Sequence, residues 1–178
     1  NASNVHYFTG WKTNDAFMIN SKVIVPMWGI YGNRYGSSWS LCKASDFLEE
    51  LEKIFVYLDG GKTEGADISS ILHGYNYSNK YNGEKIQSKY FDVEFKKKGT
   101  AHIWFTNAEL LKKFNIFGCQ KHGWLPNSYG HKRYKDRSKE EQEVIKSFEG
   151  EKSYEKTVEN PQYYLSGNQI LQIGMSEQ

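Results

Sequence analysis

The chain of 178 residues lacks most of the features that place a protein quickly. Two cysteines, Cys42 and Cys119, are too few for a disulfide framework at this length, which sets aside the cysteine-stapled secreted scaffolds and fits a reducing compartment. No apolar run approaches the roughly 18 residues of a membrane-spanning helix, and no signal-peptide core is found. The expected location is cytoplasmic, with no membrane partner. Charge of one sign is lacking too: 23 Lys and Arg face 21 Asp and Glu, so the total of +2 does not by itself point to a polyanion. Internal repeats and low-complexity linkers are absent. The length is that of one domain, 1–178, since domains commonly run to about 100–200 residues. Asn1-Ala2, with no initiator Met, reads as a tag remnant on a piece excised from a longer protein.

Rings are what the chain has in quantity. Phe, Trp and Tyr make up 16% of it, with 13 Tyr and 5 Trp, so they must build much of the core. Some are expected at the surface, because Tyr and Trp suit positions where one end of the side chain stays wet, recognition surfaces included. Apolar residues at 38% and charged residues at 25% are ordinary for a globular chain.

Periodicity predicts an α+β fold: a small antiparallel sheet, made of a hairpin near 88–106 and an N-terminal strand, packed by three to five helices. The β-branched run Lys22 to Val25, ended by Pro26, reads as an edge strand, and the Gly- and Ser-rich residues 28–39 as loop. Phe47, Leu48, Leu51, Ile54, Phe55 and Leu58 form one helical stripe, with Asp46 and Glu49 as a capping-box-like start and Gly60-Gly61 as the stop. A short helix is expected around Ile68 to Leu72. In the hairpin, Phe91, Val93 and Phe95 alternate with Asp92 and Glu94, and the return strand puts Ala101, Ile103 and Phe105 on one face with His102 and Trp104 on the other. Asn107 caps a helix expected to end near Gly118, and 119–137 reads as a long ordered loop. Ser138 with Glu141 is a capping box for a helix closed by Gly150, and one more short helix is expected near Pro161 to Leu165.

Charge distribution carries the functional signal that net charge does not. Lys112, Lys113, Lys121, Lys132, Arg133, Lys135, Arg137 and Lys139 face a single acid, Asp136, and are interleaved with Phe114, Phe117, Trp124, Tyr129, Tyr134, His122 and His131. Cations for phosphates beside rings for bases are the ingredients of nucleic-acid binding. Lys97 and Lys98 in the hairpin turn extend that field toward Trp104. The competing reading is a charge-balanced surface, with Glu140, Glu141, Glu143, Glu149, Glu151, Glu155 and Glu159 folded back on the cations.

Catalytic signals are sparse. His102 beside Lys97 is a candidate general acid or base for a nuclease or nucleotide-modifying enzyme, but no second imidazole or carboxylate stands at an interpretable spacing. Cys119 and His122 have half the spacing of a zinc site and no second half, so no metal site is expected. Asn160-Pro161-Gln162-Tyr163 resembles the Asn-Pro-Pro-Tyr/Phe loop of adenine methyltransferases, but no Gly-rich loop for the methyl donor precedes it.

Three blocks together resemble a known family: Asp15-Ala16-Phe17 to Lys22-Val23-Ile24, Glu50 to Phe55 with Leu58-Asp59-Gly60, and Ser88-Lys89-Tyr90-Phe91 to Lys97-Lys98-Gly99-Thr100-Ala101-His102-Ile103-Trp104-Phe105. The family is an uncharacterised domain of phage and mobile-element proteins, often fused to N6-adenine DNA methyltransferase domains. Its third block typically reads Phe-Lys-Asn-Gly-Asn before Ala-His, and this chain departs from both Asn positions. The resemblance implies a DNA-modification context and supplies no activity; with no complete catalytic motif in the chain, the expected reading is a non-catalytic accessory domain without a cofactor of its own. Its expected role is to bind DNA or position a target for a methyltransferase domain in the same or a neighbouring chain. A protein–protein interaction module is the remaining alternative.

Overall fold

A computed structural model of the chain describes residues 18–27, 42–60, 65–74, 84–96, 99–126 and 128–160. The described residues form two compact units, one from Ile19 to Leu111 and one of Met18 with those from Lys112 onward.

The first unit is a four-stranded antiparallel sheet with helices. Its elements are β1 (Lys22–Pro26), α1 (Cys42–Gly60), α2 (Ile68–Gly74), β2 (Ile86–Gln87), β3 (Phe91–Lys96) and β4 (Thr100–Phe105). The strand order is β1-β4-β3-β2, which puts the strand ended by Pro26 at an edge, where a residue without an N–H is tolerated. β2 forms the opposite edge and was not foreseen; two residues are too short to show a period. Strand alternation gives the sheet an apolar face on which Val23, Ile86, Phe91, Val93, Phe95, Ala101 and Ile103 are all buried. Phe55 of α1 stacks on Phe105 at 5.2 Å between centroids, so α1 closes that face.

α1 starts earlier than its sequence stripe predicts, at Cys42, so Asp46 lies inside the helix and does not cap it. Glu49 instead pairs with Lys53 one turn on, at 2.7 Å. The buried stripe is rotated as well. Ala44, Leu48, Leu51, Glu52, Phe55 and Leu58 face inward, whereas Phe47 and Ile54 are more than a third exposed. A buried carboxylate explains the rotation: Glu52 Oε2 accepts the amides of Asp67 at 2.8 Å and Ile68 at 2.7 Å, capping α2 from outside its own segment.

α3 (Ala108–Lys121) begins as expected, with Asn107 Oδ1 accepting the amides of Glu109 and Leu110. It continues through Gly118, where the sequence predicted an end, because the stop is Gly123. That residue sits at φ +70°, and the amides of Trp124 and Leu125 both return to the Cys119 carbonyl, at 2.8 and 3.1 Å. A 3-10 turn (Tyr134–Asp136), α4 (Lys139–Phe148) and α5 (Glu151–Glu159) complete the second unit. The Ser138–Glu141 capping box opens α4 as predicted. α5 was not predicted; the last helix expected from the sequence, near 161–165, falls outside the described residues. The core of this unit gathers Ile116, Cys119, Leu125, Tyr129, Ile145, Phe148 and Tyr154. Among the described residues no helix is long and apolar enough to cross a membrane.

Candidate nucleic-acid interface

Sheet register assembles the first candidate surface, on the face of the first unit opposite α1. Lys22, Trp104 and Asp92 stand abreast across β1, β4 and β3, and one step along stand Ile24, His102 and Glu94. Two ammonium groups approach the Trp104 ring, Lys22 Nζ at 4.9 Å and Lys85 Nζ at 4.2 Å from its centroid. Such contacts are electrostatic, cation to ring quadrupole. Two acids temper the field: Asp92 lies 3.9 Å from Lys85, and Glu94 pairs with Lys96.

His102 lies beside Trp104, with ring centroids 5.9 Å apart. Its imidazole titrates below the usual histidine value, first because it is partly buried and then because Lys22 and Lys96 repel a further positive charge; Glu94 opposes them. The ring is therefore neutral near pH 7, able to accept a proton or a hydrogen bond. Among the described residues no carboxylate or second imidazole hydrogen-bonds to it. Lys97 and Lys98, expected to border this face, lie outside the described residues.

Strand alternation in the sequence places His102 and Trp104 on one face, whereas nothing local marks Lys22 and Lys85 as their neighbours. Only strand pairing brings those two to the ring, and no local pattern encodes it.

The second candidate surface, the basic stretch from Lys112 to Lys139, is divided by the fold. Lys112 Nζ sits 3.0 Å from Glu149 Oε2 and donates to Ser153 Oγ at 3.3 Å, and Glu149 is a largely buried carboxylate that also accepts from the hydroxyls of Tyr129, Ser153 and Thr157. Burial, followed by the charge of Glu149, pushes the Tyr129 phenol far above its usual value. Arg133 lies 3.0 Å from Glu155 and 3.6 Å from Glu159, and Glu155 also accepts the Tyr134 amide. Arg137 is buried, donating to Tyr154 Oη, Ser128 Oγ, the Ser128 carbonyl and Glu141. Much of the acidic segment thus does fold back on the cations.

What stays outward is Lys121, His131, Lys132, Lys135 and Lys139, with Lys113 half-buried and Lys121 set over the Phe117 ring at 5.7 Å. Trp124 is 44% exposed and stacks on His122 at 5.0 Å. Tyr134 is half-buried against Tyr154. Cys119 and His122, the half-site weighed for zinc, face different surroundings. The thiol is 2% exposed and pushed up to about 11 by burial, while the imidazole is exposed.

A family model for a domain of unknown function, DUF4942, matches residues 4–124. The chain belongs to that family. No curated protein and no solved structure matches it. The DUF4942 match takes in every element of the first unit and α3 and ends at Trp124, so the Trp104 face lies within the family's span and α4 and α5 lie beyond it.

Proposed function

We propose that this chain is a nucleic-acid-binding accessory domain that positions DNA for a modification enzyme, with the Trp104 face of the sheet as its contact surface. The observation that carries the reading is the Trp104 ring flanked by Lys22 and Lys85 on the polar face of a sheet whose other face is closed by α1. An aromatic platform for a base with cations for its phosphates is the economical design of a single-strand binder. As a base takes the ring, the ammonium groups turn from it to the phosphates. Neutral His102 adds a hydrogen-bonding group at the edge of the platform. Lys121, Lys132, Lys135 and Lys139 of the second unit supply a further basic surface.

The resemblance of the three sequence blocks to methyltransferase-fused proteins of phage and mobile elements supports an adenine-methylating partner, in the same or a neighbouring chain. In this reading the domain works in the cytoplasm, carries no cofactor of its own and leaves the chemistry to that partner.

Fluorescence anisotropy with labelled single-stranded and duplex DNA, titrated with salt, tests the proposal. Single strands are expected to bind more tightly, with affinity falling steeply as salt rises. Trp104→Ala is expected to weaken binding about tenfold. Lys22→Ala and Lys85→Ala should each lower the salt slope by roughly one. Absence of binding at low salt, or a Trp104→Ala protein that binds as well as the parent, would refute it.

A further inference from the structure

The second unit contains a cavity that the basic surface does not use. It measures about 440 Å³ and lies between the Trp124–Leu125 turn and one face of α4, where Glu140, Glu143, Val144 and Phe148 follow one another at helical spacing. That volume suits one or two side chains of a ligand. Leu125 and Phe148 are buried at 3% and 6% exposure, whereas Trp124 and Val144 keep 44% and 40% of their surface in water. Large apolar side chains left exposed around a cavity mark a place of contact.

Charge decides what kind of contact. The acids of this segment fall into two groups. Glu141, Glu149, Glu155 and Glu159 each meet a cation of their own unit. Glu140 and Glu143 are exposed at the cavity and form no ion pair among the described residues. The cavity lining itself therefore holds carboxylates and no cation, which disfavours a phosphate there and matches a cation set beside an apolar group. The wall is also the wrong chemistry for an acidic partner.

We infer that this groove docks a partner polypeptide. An aliphatic or aromatic side chain of the partner seats on Leu125 and Phe148 between Trp124 and Val144, and a neighbouring lysine or arginine pairs with Glu140 and Glu143. Hydrophobic anchoring supplies affinity, and the two carboxylates supply selection by sign. This site is independent of the Trp104 face and stands whether or not that face binds DNA.

Two fluorescein-labelled amphipathic peptides test the inference on the full chain. In one, leucines and a phenylalanine are flanked by lysines; in the other, glutamates replace the lysines. The lysine peptide is expected to bind saturably, and the glutamate peptide at least about tenfold more weakly. Val144→Ser and Trp124→Ala should each weaken the lysine peptide about tenfold. Glu140→Lys combined with Glu143→Lys should reverse the preference between the peptides. The pair Glu109→Lys with Glu151→Lys, at exposed positions outside the groove, changes the net charge equally and should leave the preference unchanged. Val144 is exposed on α4, so Val144→Ser should keep its fold, checked by circular dichroism. Failure of the lysine peptide to bind overturns the inference. So does equal loss with the matched charge pair, or binding indifferent to Val144→Ser and Trp124→Ala. Displacement of the peptide by DNA whose own affinity falls in Val144→Ser would assign the groove to nucleic acid and overturn it as well.

Discussion

Single residues in this protein do work that their sequence neighbours do not announce. Glu52 looks like one more charge on a helix, yet it is fully buried and caps another helix. One of its oxygens, Oε1, has no hydrogen-bond partner among the described residues. Burial raises its carboxyl above the usual value of 4.5, against the opposing pull of the Ile68 and Asp67 amides. The folded state therefore holds this proton more tightly than the unfolded chain does. The resulting stability is complete below about pH 4.5 and is lost as pH rises through the elevated value. Glu52→Gln removes the titration. In urea denaturation across pH 4.5 to 7.5, the stability of the parent relative to Glu52→Gln is expected to fall as pH rises; a difference independent of pH would contradict this.

Elements were legible in the sequence where the signal is local. The Ser138 capping box, the Asn107 cap and the alternation of the β3–β4 hairpin are each contained in a few consecutive residues, and each appears where predicted. What escaped depends on partners distant in sequence. The apolar stripe of α1 points to the wrong frame because Glu52 counts as polar until the amides it caps are known. α5, with Tyr154 and Thr157 buried among lysines and glutamates, has too few apolar positions to show a helical period. The candidate site follows the same rule. Alternation put His102 and Trp104 on one face, but Lys22 and Lys85 arrive through strand register, and the neutralisation of Lys112 and Arg133 comes from acids 22 to 37 residues along the chain. The end of α3 gives a direct check on two similar-looking glycines. Gly118 is helical and a methyl group there meets nothing within 4 Å, so Gly118→Ala should stabilise by roughly 0.5–1 kcal/mol. Gly123 has equally open space but φ +70°, so Gly123→Ala should cost about 1–2 kcal/mol. Equal effects in urea denaturation would contradict the assignment of Gly123 as the helix stop.

At the scale of the whole molecule, the two units have separate cores, and the family match covers the first unit and α3 but neither α4 nor α5. Separate cores predict separable responses. Tyr154→Ala removes a fully buried ring from the second core and should cost about 3–5 kcal/mol there. Hydrogen exchange is expected to show lost protection across 125–159, with the amides of β1, β3 and β4 retained; uniform loss over both units would show that they unfold as one. The carboxylate of Glu149, set among three hydroxyls and the Lys112 ammonium, bears on how such a molecule can change over generations. With Glu149 and Glu141 matching Lys112 and Arg137 internally, the outward lysines at 121, 132, 135 and 139 form a separate register of charge. Being exposed, they can be substituted without disturbing a core, so changes there would retune the field that a partner meets, while Lys112 and Arg137 are held in place by the fold itself.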